Sequence, residues 1–581
     1  MVNHCYHALL ASLFTILLAS CASNPNKSYS YAAEPARSDA IKLAPADELA
    51  YQSTSQLMYQ IMVGELAGKL GDLDTSKHHY ALALQTTDDP DIIERAMRVA
   101  IFSKDWSLAL HAAKRWAQVQ PERIEAQQVL GILHLRTNNI DAAEANFLRV
   151  MNSASDSPRQ GFSIVINTLS QVTDVKNSLA LMDRLVAHYY TNAYGHLAYA
   201  DLAMGAGEYR LAVDQSELAI GFKPDLVKAR ILRARALNAL GDHDLAIQEM
   251  HDLVSADPDN YEQRLGYAQM LLQAQKLLEA ASQFEILLQQ RPDETTLTYM
   301  LGLTYMQAEQ YQRSRRYFQD LVDGHRRLDE SYYYLGLIDQ QLGDLEQAEE
   351  MLLQVAFGEW FLEASMQLAT IYMQTEGIEK ARQHLNSVRA DLSNPESVMR
   401  IYLAEGNLLG QEKYYQQAYE VYSQGLLEFP KHFDLLYARA ITSDKMDRID
   451  LFEADMRTII SANPEHVDAL NALGYTLADR GLKLTEAKQL IERAYALKPQ
   501  DPAIIDSMGW IYFRLGNYSE SEGYLRLAMD KMYDPEIVGH LVELLRATGA
   551  THEAETLLKQ ASERFPEDQY LQELQQTSLT H

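Results

Sequence analysis

Proline punctuates this chain at a nearly constant interval. Pro224, Pro258 and Pro292 stand 34 residues apart, as do Pro430 and Pro464, and Pro499 follows 35 later. Pro121 to Pro224 spans 103 residues, three intervals with a slip of one. Pro292 to Pro430 spans 138, four intervals with a slip of two. A sequence period of about 20–50 residues excludes an ordinary globular core. Each period is one supersecondary unit that hides its apolar face only against its neighbours, so the chain must stack.

A second spacing lies inside the period. Small residues pair twelve positions apart: Gly131 with Ala143, Ala234 with Ala246, Ala268 with Ala280, Gly302 with Ser314, Gly336 with Ala348, Ala369 with Ala381, Gly406 with Ala418, and Gly509 with Ser521. Four residues after the second member comes a large one, including Phe147, Phe284, Phe318, Leu352, Tyr422 and Leu525. Two antiparallel helices can approach closely at the small residues, and the large residue is expected to fill the space between neighbouring hairpins. Gly241-Asp242, Gly343-Asp344 and Gly516-Asn517 mark the turn between the two helices, where glycine accepts positive φ. Only 27 Gly and 16 Pro in 581 residues is too few for the many turns of a strand-rich protein.

Leu301-Gly302-Leu303-Thr304-Tyr305, Leu335-Gly336-Leu337 and Leu473-Gly474-Tyr475 resemble the first-helix motif of the tetratricopeptide repeat. The stretch Asn471 to Tyr518 resembles the terminal repeats of many bacterial members. The resemblance covers about residues 55 to 570 and implies an all-α fold, a right-handed superhelical solenoid of about 15 helix pairs with the first helices on its concave side. Two units match poorly. One is 152–194, with the polar stretch NSASDSPRQG; the other is 431–464, where Phe452 stands in place of a small residue.

The N-terminus reads as an address. Ala8 to Ser20 is an apolar run of 13 residues, short of the roughly 20 that span a bilayer and of the length of a signal-peptide core. It ends Leu18-Ala19-Ser20-Cys21, which resembles the lipobox of bacterial lipoproteins, although Met1 to His7 carries no Lys or Arg. The resemblance implies lipidation at Cys21 and, because Ala22 is not aspartate, an outer-membrane lipoprotein facing the periplasm. The expected organisation is a signal peptide at 1–20, lipidated Cys21 and a flexible tether at 21–48, partly degenerate repeats at 49–195, regular repeats at 196–570 and a polar tail at 571–581.

Composition narrows the partners. With 51 basic and 80 acidic side chains the net charge is -29, which repels nucleic-acid phosphate. Cys5 and Cys21 are the only cysteines, so the body has no disulfide framework and no cysteine metal site. No phosphate-binding glycine loop, His-Glu-x-x-His or Gly-x-Ser-x-Gly is present. The chain is expected to be no enzyme, with no catalytic residue, metal or cofactor.

In the repeat frame, positions three before and one after the first small residue point into the groove. These are Tyr299 and Leu303, Tyr333 and Leu337, Met366 and Thr370, Asn471 and Tyr475, Asp506 and Trp510. Any one tyrosine is expected to pack between helices rather than to meet a partner. The set, in a chain with 34 tyrosines, predicts a protein-binding surface. The Lys/Asn/Arg clamp by which some family members hold a C-terminal carboxylate is not expected, since its positions carry Gln128 and Ile132, Ile231 and Arg235, Leu265 and Gln269. The overall plan resembles bacterial lipoprotein adaptors that bind a C-terminal processing protease and deliver cell-wall hydrolases to it. The alternative is a structural component of a secretion, pilus or polysaccharide-export assembly.

Overall fold

Asp and Asn residues are placed to start helices throughout the chain. Asp105 accepts from the Leu108 amide at 3.1 Å and Asp344 from the Gln347 amide at 3.1 Å, satisfying amides that have no partner within the helix. Pro90, Pro395, Pro502 and Pro535 sit in the first turn of their helices, where a missing N–H costs nothing. The repeat prolines fall between helices: Tyr209–Phe222 ends before Pro224, and Val227–Leu240 begins after it. The computed structural model describes residues 45–153 and 157–578, with side chains over 54–153 and 157–577. Every regular element among them is an α-helix, 31 in all from Pro45–Lys69 to Gln569–Ser578. That is the number fifteen helix pairs and one closing helix require. The signal peptide, Cys21 and the tether as far as residue 44 lie outside the described residues. No described helix is long and apolar enough to cross a membrane.

Contacts divide the chain into two compact units, one up to Leu240 and one from Gly241. The same hairpin chemistry runs through both. In the first unit, Ser76 Oγ donates to the Gly64 carbonyl at 2.8 Å. In the second, Ser314 Oγ donates to the Gly302 carbonyl at 2.6 Å and Ser521 Oγ to the Gly509 carbonyl at 2.8 Å. Each bond spans twelve residues, so the small-residue spacing is the point of closest approach of two helices. The large residue sixteen after the first small one packs over that point. A Cβ added to Gly302 would stand 2.8 Å from the Phe318 ring, and one added to Gly509 would stand 2.6 Å from Leu525. These large residues thus cover the close approach within a hairpin as well as the space between neighbouring hairpins. Phe318, fully buried, covers the glycine of its own hairpin and stacks on Tyr334 of the next first helix at 5.0 Å.

The turn glycines take the expected left-handed backbone, with φ of +82° at Gly343 and +77° at Gly516. Other hairpins force a side-chain-bearing residue into the same place: Lys104, Gln275, Glu309, Lys413 and Asp447 all have φ between 56° and 64°.

Both poorly matching segments form helices. Pro158–Leu169 and Val175–His188 cover most of 152–194 and place Phe162, Val165, Leu181 and Leu185 in one apolar cluster. Phe452 is fully buried in one apolar cluster with Ala440, twelve residues before it. The C-terminus also differs from the expected polar tail. Gln569–Ser578 is a helix that carries fully buried Leu571, with Leu574, into the cluster of Val538, Leu541, Leu545 and Leu558. It covers the apolar face that the last hairpin would otherwise leave bare, and turns a polar face outward as a terminal cap does.

Candidate protein-binding surface

Successive first helices lie side by side within the second unit, which brings frame-equivalent side chains together. On Thr295–Gln307, Leu328–Gln341 and Phe361–Thr375, the predicted residues Tyr299, Leu303, Tyr333, Leu337, Met366 and Thr370 are all half-buried. Tyr299 meets the edges of Phe318 and Tyr334, each at 6.0 Å. Tyr333 leans on the Trp360 indole at 5.0 Å, and Tyr334 lies 5.6 Å from the same ring. The Arg327 guanidinium sits over Tyr299 at 4.6 Å. Met366 packs in the apolar cluster that contains Tyr333 and Trp360. Burial, and then the neighbouring Tyr334, push the Tyr299 phenol well above its ordinary range, so it keeps its proton. The result is a rigid aromatic patch with polar tips, beside a loop that holds Phe357 75 % exposed. Rings of this kind contribute contact area at little conformational cost.

Near the C-terminus, Val467–Asp479, Pro502–Arg514 and Pro535–Ala547 bring together a second group. Asn471 and Tyr475 are half-buried, whereas Asp506 and Trp510 are 5 % and 4 % exposed. The expectation that Asp506 and Trp510 open into a groove therefore needs correction, because His540 covers both. His540 Nδ1 lies 3.0 and 2.9 Å from the two Asp506 carboxylate oxygens, and its ring stacks on Trp510 at 4.1 Å. Its Nε2 is 3.2 Å from the Tyr475 hydroxyl, which donates to Glu536 at 2.6 Å. Burial works to lower the imidazole pKa, but Asp506, then Glu536 and Glu543, hold it above the ordinary value. With its proton bound, the imidazole donates from Nδ1 to Asp506 and from Nε2 to the Tyr475 hydroxyl, whose own proton goes to Glu536.

This arrangement has the outline of a nucleophile–base–acid series but the wrong chemistry. A base must be free to accept a proton, and the carboxylates around this imidazole favour the form that already carries one. Burial and Glu536 push the Tyr475 phenol far upward, which is the reverse of activation. The group orders three first helices instead. Asn471 Oδ1 and Trp510 Nε1 are buried with no hydrogen-bond partner among the described residues. No group of three or more metal-capable side chains occurs among the described residues.

Sequence reasoning missed Tyr334, Trp360, Glu536 and His540. For His540 a signal exists: it lies one period, 34 residues, after Asp506. For Trp360 there is none, since it sits in the loop before Phe361–Thr375, outside the repeat frame.

A family model for the tetratricopeptide repeat matches residues 231–295, 299–360 and 453–502. The chain is 29 % identical over 532 residues to a TPR repeat-containing protein of Pseudomonas aeruginosa, covering 91 % of this chain and 89 % of that one. A 101-residue stretch is 26 % identical to bacteriophage adsorption protein A of Escherichia coli, 17 % of this chain and 10 % of that protein. Among solved structures, the thermophilic TPR protein TTC0263 of Thermus thermophilus is similar at 23 % identity, with 32 % of this chain and 100 % of that one covered and a TM-score of 0.30. Yeast Tom70 is similar at 13 % identity, over 91 % of this chain and 95 % of that one, with a TM-score of 0.35. The twelve-residue hairpin contacts, the period and the matched segments agree: the chain carries tetratricopeptide repeats.

Proposed function

We propose that this protein is a non-catalytic scaffold, anchored through lipidated Cys21 to the outer membrane and facing the periplasm, that presents envelope proteins such as cell-wall hydrolases to a partner such as a C-terminal processing protease. Tetratricopeptide repeats are protein–protein interaction modules, and holding two partners on one chain raises their effective concentration. The observation that carries the reading is the aromatic patch that Tyr299, Tyr333 and Tyr334 on adjacent first helices form with Trp360 of the following loop. Such a patch suits a polypeptide rather than a small molecule, because it is a run of rings on a surface instead of an enclosed cavity. The lipobox-like Leu18-Ala19-Ser20-Cys21 supports the anchor.

The test is affinity capture of the tagged full chain from detergent-solubilised envelope, with Cys21→Ala as a second bait. Recovery of a protease together with a cell-wall hydrolase supports the adaptor. Co-purification of a secretin or an export porin in their place moves the chain to the structural alternative. Equal membrane association of the Cys21→Ala protein removes the anchor.

A further inference from the structure

The first unit holds a pocket of about 630 Å³ formed by three successive first helices, Pro158–Leu169, Ala193–Gly205 and Val227–Leu240. Its floor is apolar and aromatic, with Phe162 buried and Tyr194, Leu197 and Ile231 half-buried. Its rim is cationic. Arg159, Lys228 and Arg235 are exposed and face it from two of the three helices. Arg159 lies over the Tyr194 ring at 5.0 Å, and Lys223, just outside the lining, approaches the same ring at 5.6 Å. None of Arg159, Lys228 and Arg235 forms an ion pair among the described residues, while most other arginines of the chain are paired with carboxylates. One carboxylate, Asp201, shares the lining. Three cations against one anion leave the pocket at about +2, in a chain whose net charge is -29.

We infer that this pocket binds an extended acidic peptide segment of a partner protein, seating an apolar side chain between Leu197 and Ile231 while Arg159, Lys228 and Arg235 receive its carboxylates. Charge complementarity selects the occupant. Acidic surface elsewhere on the chain repels such a segment, so the local reversal of sign concentrates it here. Tyr194, already a platform for two cations, lies where the peptide backbone would cross the pocket. The inference rests on the protein-binding reading and adds the chemistry of one ligand.

The experiment measures fluorescence anisotropy of a labelled glutamate-rich peptide carrying a single leucine, titrated with the mature full chain at low and raised salt. A peptide with glutamine in place of every glutamate is the control. The acidic peptide is expected to bind at least about tenfold more tightly than the control, with the margin shrinking as salt rises. Lys228→Glu with Arg235→Glu, both on exposed positions of one helix, abolishes that margin. Asp201→Asn tightens binding severalfold, a gain that misfolding cannot mimic. Equal binding of the two peptides overturns the inference, as does undiminished binding by the charge-reversed protein or no gain from Asp201→Asn. If these fail while envelope capture still returns partners, only the pocket assignment falls.

Discussion

Replacing His540 with alanine tests the reading of the C-terminal first helices. The imidazole is 2 % exposed and is, among the described residues, the sole hydrogen-bond donor at the Asp506 carboxylate, which is itself 5 % exposed. Removing one member of a buried ion pair leaves the other without compensation, a loss of about 3–5 kcal/mol. The Trp510 stack at 4.1 Å and the contact to the Tyr475 hydroxyl go with it. A loss of about 4 kcal/mol is close to a thousandfold in a local opening equilibrium. Repeat arrays open locally because each unit contacts only its neighbours. Amide exchange read by mass spectrometry should therefore lose protection by that factor in Val467–Asp479, Pro502–Arg514 and Pro535–Ala547. Helices such as Thr295–Gln307 should be unchanged.

The same pair fixes the sign of a pH effect. The folded pKa of His540 lies above the ordinary value, held there by Asp506, Glu536 and Glu543 against the opposing effect of burial. A folded state that binds the proton more tightly than the unfolded one gains stability that is fully present below the unfolded pKa, about 6.5. That stability is lost as pH rises through the folded pKa. Protection of these helices should fall as pH rises above about 6.5, after correction for intrinsic exchange, and His540→Gln should flatten the dependence. Protection that rises with pH, or an alanine variant with less than a tenth of the stated effect, refutes the argument for an imidazolium.

Four other perturbations follow from particular contacts. Tyr333→Ala removes a ring that leans on Trp360 at 5.0 Å, and should weaken partner capture about tenfold or more in a quantitative pull-down while leaving helix content unchanged. Glu405 is 1 % exposed and accepts from Arg382 at 3.0 Å and Arg389 at 2.9 Å; Glu405→Ala should cost about 3–5 kcal/mol in urea unfolding. Gly302→Val forces a side chain to within 2.8 Å of the Phe318 ring, and should cost about 2 kcal/mol by overpacking, seen as a lower melting temperature. Glu309→Gly should stabilise by about 0.5 kcal/mol, since the left-handed backbone at φ 56° penalises a side chain more than glycine loses in the unfolded chain.

What the sequence revealed and what it hid divide along the range of the contacts. Pairs such as Gly302 with Ser314, and the Phe318 that covers them, are set inside one hairpin. They recur in each copy, so spacing exposes them. The closing helix recurs nowhere. It packs through Tyr570, Leu571 and Leu574, and three apolar residues in a glutamine-rich segment do not make a periodic signal. Trp360 enters from a loop, where no frame assigns a direction. Asp506 and Trp510 were placed on the correct layer, but the frame could not say that His540 on the next helix would close over them.

That last failure points to a general property of the stack. In a quasi-one-dimensional array a residue meets the one at about its own position a period later. Asp506 and His540 are 34 apart, Asp293 and Arg326 are 33 apart, Asp447 and Arg480 are 33 apart, and Asp244 and Lys276 are 32 apart. The period therefore fixes long-range charge pairs as well as helices. Exposed pairs of this kind contribute little to stability, so their main effect is to neutralise basic side chains along the array. Arg159, Lys228 and Arg235 escape that pairing together, around one pocket, in a chain with 29 more acids than bases. Scattered surface cations would leave no such pocket, and an acidic ligand supplies the partner that the array itself does not.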